Sequence, residues 1–72
     1  MGDKIYHILP NEDNNRWEIK IEGRDRPEKT FDTKEAAYQE AQDLADASRP
    51  SQVVIHRQNG EVEDVSKYST NG

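Results

Sequence analysis

Apolar and polar residues are not scattered along this chain; they fall into a few periodic stretches separated by turn-forming residues. The cleanest runs from Arg16 to Glu22, where Trp17, Ile19 and Ile21 alternate with Arg16, Glu18, Lys20 and Glu22. Such alternation marks an antiparallel strand with one face buried and one face wet. Upstream, Lys4 to Pro10 carries Ile5, Tyr6, Ile8 and Leu9, all strand formers, and Pro10 closes the run. Between the two lies Asn11 to Asn15, rich in Asn and Asp, which predicts a turn of about five residues and hence a hairpin.

Gly23 to Lys29 is a polar connection holding Pro27, and Thr30-Phe31 reads as a short extended piece with Phe31 closing one end of the core. The period then changes. Ala37, Tyr38, Ala41, Leu44, Ala45 and Ser48 recur at helical spacing and form one stripe about 120° wide. Thr33 is the preferred N-cap, with Glu35 supplying an acid to the first turn. Asp32, at capping-box spacing from Glu35, is the alternative. Arg49-Pro50 ends the helix. Three alanines on the stripe predict close approach of helix to sheet.

Gln52 to Arg57, with Val53-Val54-Ile55, reads as a well-buried strand, and Glu61 to Val65 as its return. Asn59-Gly60 between them suits a two-residue type I′ turn, in which both residues take positive φ. That turn would pair Arg57 with Val62, His56 with Glu63 and Val54 with Val65, and put Val53, Ile55 and Val62 on the core face. The resulting expectation is an α+β domain of order β-β-α-β-β, one four-stranded, mainly antiparallel sheet with a single helix on one face. Residues 1–72 form one domain, with an ordered core over about 4–66 and a polar tail over 67–72 anchored by Tyr68.

These residues also resemble a family of short bacterial proteins known as domain of unknown function twenty-one eighty-eight. The resemblance rests on His7-Ile8-Leu9-Pro10, Trp17, Gly23, Thr33 with Glu35-Ala36, Ala41 and Leu44-Ala45. It continues through Val54-Ile55-His56, Asn59-Gly60 and Val62 to Ser66-Lys67-Tyr68. It covers nearly the whole chain, and the order and spacing of the motifs carry it. Two positions depart from the pattern: Asn59 stands where the family mostly has Asp, and no Gly precedes Trp17 in the first turn. The resemblance implies a compact α+β domain and assigns no activity and no catalytic residue.

Composition narrows the classes of function. A chain of 72 residues buries only about 60% of its unfolded surface, and with no cysteine it has neither disulfide nor thiolate metal site to reinforce a small core. The net charge of −5 opposes the phosphate backbone of nucleic acids. No apolar run approaches the ~20 residues of a membrane-spanning helix, and the N-terminus lacks the apolar core of a signal peptide. Met1-Gly2 opens like a myristoylation site, but Tyr6 stands where that motif requires Ser or Thr. A cytoplasmic protein is expected.

Candidate chemistry is sparse. His7 and His56 each sit in a predicted strand and invite a metal or acid–base reading. Two histidines fall short of the three or four ligands a zinc site gathers, so His56 is expected on the outer sheet face, paired across the strands with Glu63. The serines and threonines lie in no nucleophile elbow, and the four glycines are dispersed rather than gathered into a phosphate loop. No catalytic residue, cofactor or metal is expected. On the first strand, Tyr6 and Ile8 lie opposite Ile5, His7 and Leu9, and only one set can face the helix. The set left over would form an outer patch with Val54 or Val65.

The function expected is therefore a non-catalytic binding domain, joining a protein partner or a second copy of itself. Tyr6, Ile8, Val54, His56 and Glu63 are the candidate contact residues. The alternative is a nucleic-acid-binding accessory domain using Tyr6, His7, His56 and the segment from Arg24 to Lys29. The acidic outer face of the helix (Glu35, Glu40, Asp43, Asp46) reads as a solvated surface.

Overall fold

In the computed structural model, residues 3–70 are described. Residues 1, 2, 71 and 72 lie outside it, and with them the Met1-Gly2 pair and the end of the polar tail. The elements are β1 (Lys4–Pro10), β2 (Trp17–Ile21), β3 (Lys29–Phe31), α1 (Lys34–Ala47), β4 (Ser51–His56) and β5 (Val62–Tyr68). The strands form one mixed sheet of five, in the order β3-β2-β1-β4-β5. β1–β2, β2–β3 and β4–β5 pair antiparallel, whereas β1 and β4, side by side at the centre, run parallel.

This corrects the expected four-stranded, mainly antiparallel sheet of order β-β-α-β-β. The reason is a matter of parity. With two strands before it, the helix would deliver the chain back antiparallel to β1. The extended piece at Thr30-Phe31 is a true strand, hydrogen-bonded to β2 with Trp17 opposite Phe31 and Ile19 opposite Lys29. It adds one reversal, so α1 descends and β4 rises in the same sense as β1.

The first hairpin closes Pro10 against Trp17. Asn14 supplies the left-handed residue (φ 61°) that a glycine would otherwise provide, since Asn is one of the few side chains that tolerates that region. Asn11 Oδ1 accepts from the backbone N–H groups of Asn15 and Arg16, at 3.0 and 3.2 Å, and so stitches the turn. The second hairpin differs from expectation. Asn59 is not left-handed; Gly60 alone is, at φ 93°. The N–H of Gly60 donates to Arg57 O at 2.9 Å and that of Arg57 to Glu61 O at 2.7 Å. This is a three-residue loop with glycine at the left-handed position.

A bulge follows between Ile55 and His56. Val54–Val65 stay opposite, as the expected register has them, but His56 faces Val62 rather than Glu63. Val62 is thereby turned away from the core and is 54% exposed. β5 also carries on to Tyr68, with Lys67 opposite Gln52, beyond the point where the apolar pattern fades.

The helix begins where its cap demands. Thr33 is extended, and its Oγ1 accepts from Ala36 N at 3.1 Å. Ala37, Ala41 and Ala45 are fully buried against Tyr6, Ile8, Ile19, Ile21, Val53 and Ile55, with Tyr38 and Leu44 at the margins. Ile8, Ile19 and Val53 lose all contact with water, each contributing roughly 1.5–3 kcal/mol from burial. At the helix C-terminus two hydroxyls donate to carbonyls of the last turn, where intrahelical donors run out. Ser48 Oγ donates to Leu44 O at 2.6 Å, and the buried Ser51 Oγ donates to Ala45 O. Since Ser48 spends its proton on Leu44, Tyr6 Oη is the donor in its 2.9 Å bond to Ser48 Oγ.

The alanine stripe fixes how near the helix lies to the sheet. Ala41→Leu adds apolar surface yet should lower stability by about 1–3 kcal/mol, because the added methylenes have no space between helix and sheet. Urea denaturation checks this: the midpoint falls, with the slope unchanged.

Candidate functional site

Alternation sorts the strands into two faces, and α1 covers one of them. The other face is laid out by the register. Val65, Val54, His7 and Lys20 lie in a row across β5, β4, β1 and β2, and Lys67, Gln52 and Ile5 form a neighbouring row. His56 with Val62, and Leu9 with Glu18, complete the face towards the other end. Val54 is 8% exposed even without a covering layer, while Val62 and Val65 are 54% and 44% exposed.

At the middle of this face the two histidines meet. His7 Nδ1 lies 2.9 Å from His56 Nε2, with ring centroids 5.1 Å apart and planes tilted by 38°. The outer nitrogen of each ring is also engaged. His7 Nε2 is 2.9 Å from Glu22 Oε1, and His56 Nδ1 is 2.9 Å from Gly60 O. A continuous chain thus runs from the Glu22 carboxylate through both imidazoles to the carbonyl of the left-handed glycine. It ties β2, β1 and β4 to the β4–β5 turn. Sequence reasoning placed both histidines in strands but not side by side. Their meeting follows from the parallel β1–β4 register, in which His7 faces Val54 and so lies diagonal to His56.

The other expected contact residues divide between the two faces. Tyr6 and Ile8, at 3% and 0% exposure, belong to the core under the helix and offer no surface. The outward set on β1 is Ile5, His7 and Leu9. Val54 and His56 lie on the open face as expected. Glu63 does not pair with His56, because the bulge swings it to the helix side, where Lys34 Nζ donates to its Oε1 at 2.7 Å. That same ammonium lies 5.4 Å from the centre of the Trp17 ring. The hydrogen bond from Lys34 holds the Glu63 carboxyl below its ordinary value, against an opposing desolvation and with help from the charges of Lys34 and Arg57.

In the segment from Arg24 to Lys29, two of the three cations are matched by carboxylates: Arg24 pairs with Glu28, and Lys29 with Glu40 on the helix, while Arg26 is exposed. Among the described residues, no three His, Cys, Asp or Glu side chains are arranged to hold a metal ion, and no helix is long and apolar enough to cross a membrane. A cleft of about 470 Å³ opens beside the first turn, bordered by Leu9, Pro10, Glu18, Lys20 and Pro27. It shares Leu9, Glu18 and Lys20 with the open face.

Fold and face together define a small α+β domain with one helix-covered and one uncovered sheet surface, the latter centred on a histidine pair. The chain belongs to the family described as an uncharacterized protein conserved in bacteria, DUF2188, whose model matches residues 6–68. It is similar to the uncharacterized protein YycD of Bacillus subtilis (strain 168), with 36% identity over 65 residues, covering 90% of this chain and 97% of that protein. No solved structure matches it.

The lowered Glu63 value has a direct consequence for acid stability. A carboxyl held lower in the folded state contributes stability above its ordinary value and loses it as pH falls through the lowered one. Glu63→Gln should therefore melt below the parent at neutral pH. The two melting temperatures should converge only as pH falls below the ordinary carboxylate range and through the lowered Glu63 value, where the parent's carboxyl is protonated as well. Thermal melts at several pH values measure this.

Proposed function

We propose that this chain is a cytoplasmic, non-catalytic binding domain whose contact surface is the open face of the sheet, and whose partner there is a second copy of itself. The observation that carries the reading is the apolar strip of Ile5, Leu9, Val54, Val62 and Val65, left without a covering layer on a sheet whose opposite face is packed by α1 over β1 to β4. Exposed apolar surface of this kind on a small domain marks a place of contact. A domain of this size also gains stability from association.

The charges at the two margins favour self-pairing. β2 brings Glu18 and Lys20 to the face, and Glu22 follows directly, its N–H donating to Ile5 O. β5 brings Lys67, at the far end of the same row as Ile5. A two-fold axis parallel to the strands, acting between stacked open faces, brings Glu22, at the other end of that row, over Lys67 of the second copy. Closed pairing of this kind is the commonest symmetry of soluble oligomers.

The non-catalytic reading is supported by how the titratable groups are used. Both nitrogens of both histidines are engaged with each other, with Glu22 and with Gly60 O, so none is aimed at an incoming substrate. The nucleic-acid alternative is weakened because its stacking residue Tyr6 is buried and two of the three cations of its basic segment, Arg24 and Lys29, are paired with carboxylates.

Light scattering over a concentration series tests the reading. The parent should pass from monomer to dimer mass as concentration rises, while Val62→Glu/Val65→Glu should remain monomeric with an unchanged circular dichroism spectrum. Both valines are exposed, so the change leaves the core intact. A parent that stays monomeric at millimolar concentration overturns self-association.

A further inference from the structure

The histidine chain carries an inference that does not depend on what the open face binds. Its two ends are fixed acceptors: the carboxylate of Glu22 and the backbone carbonyl of Gly60. A carbonyl offers no proton, so His56 Nδ1 must carry one; an ionised carboxylate offers none, so His7 Nε2 must carry one. The central bond between His7 Nδ1 and His56 Nε2 needs one proton and one bare nitrogen. Three ring protons are thus required across two rings, where two neutral imidazoles hold only two.

We propose that His7 and His56 form a proton-binding site that holds one shared proton, and that the three-bond chain from Glu22 to Gly60 is complete only in that singly charged state. With one proton fewer, one of the three bonds loses its donor: the Glu22 bond, the Gly60 bond, or the central bond, whose two nitrogens are then both bare. With one more, the central nitrogens are both N–H and repel across 2.9 Å. Moving the central proton from one ring to the other transfers the positive charge and leaves every bond intact. A proton borrowed by Glu22 from His7 Nε2 gives the same total. The pair therefore takes up its protons in two coupled steps that belong to both rings together.

The charged surroundings are divided. Lys20 lies directly across from His7 on β2 and opposes the shared charge. Glu22 favours it, with His7 only 23% exposed beside it. Glu18 lies farther along β2. On β4 the neighbours are Val54 and Gln52, the latter bonded to Asp3, and on β5 Val62 and Val65 face the rings' side of the sheet, with Lys67 beyond them. Among the described residues, Glu22 is the one carboxylate hydrogen-bonded to either ring, so the site's affinity for its proton depends on that side chain.

Glu22→Gln separates this reading from a simple ion pair. The amide keeps the shape but can also donate, so an N–H of the introduced amide, given to His7 Nε2, completes the chain with two neutral rings and no shared proton. ¹⁵N NMR of the four ring nitrogens between about pH 4 and about pH 9 reads the outcome. In the parent we expect a window with three protonated ring nitrogens and one bare, entered and left by steps in which both rings respond together. In Glu22→Gln the upper step should move to lower pH by about one unit, a tenfold loss of proton affinity, and His56 should shift with His7 although it does not touch residue 22. The proposal is overturned if the rings titrate independently in the parent, if the substitution moves His7 alone, or if it leaves the upper step in place. Glu22 has an exposed side chain, so the variant keeps the fold.

Discussion

The parallel pairing of β1 with β4 holds this molecule together. It joins the first strand of the chain to one formed after the helix, with Tyr6 against Val53 and Ile8 against Ile55 on the side that α1 covers. The core is built around these four side chains, to which Ile19, Ile21 and the alanine stripe add. The two hairpins are otherwise separate units, each of marginal stability alone. The central ladder turns them into one sheet wide enough to receive a helix. The same ladder sets His7 beside Val54 and so within reach of His56, which makes the open-face chemistry a by-product of the pairing that builds the core.

Much of the local structure was legible in the chain. The alternation in β2, the Thr33 cap, the alanine-rich stripe and the stop at Arg49-Pro50 each reflect a local physical rule, and each is met. What could not be read was set by small or non-local features. β3 is three residues long, too short for a period to show, yet its presence reverses the direction in which β4 enters. The bulge before His56 moves Glu63 to the helix side and Val62 to the open face, a one-residue slip that inverts every assignment beyond the turn until register is regained. The choice between the two faces of β1 was open in the sequence because both carry apolar residues. It is resolved by size and chemistry: Tyr6 reaches Ser48 at the helix end with its hydroxyl, while His7 finds a carboxylate and a second imidazole on the other side.

The candidate site was legible only as residue types. Two histidines in strands suggested a metal or acid–base pair, and the family to which the chain belongs assigns neither. Side by side, the rings do something neither suggests alone: they occupy each other. Their nitrogens are committed to a chain with acceptors at both ends, so the pair acts as a polar brace across β1 and β4, set among Val54, Val62 and Val65. A half-buried polar network that is fully partnered can specify an arrangement rather than merely tolerate it. Here it fixes the second hairpin to the first, since the Gly60 carbonyl is held by a ring that is itself held from β2.

The crossover that makes the central ladder parallel has a further consequence for how the chain reaches this state. Everything between β1 and β4, namely a strand pair and the helix, must be in place or held aside before the two central strands can meet. The alanine stripe has no complete surface to pack on until Val53 and Ile55 arrive. Contacts so distant in sequence make for slow folding relative to helical domains of equal size. A nascent chain emerging N-terminus first would expose Ile8, Ile19 and the helix's apolar side until its last third had been synthesised. Truncation before β4 leaves a three-stranded meander and a helix without Val53 and Ile55 to complete the core, so this domain is assembled only once nearly the whole of it is present.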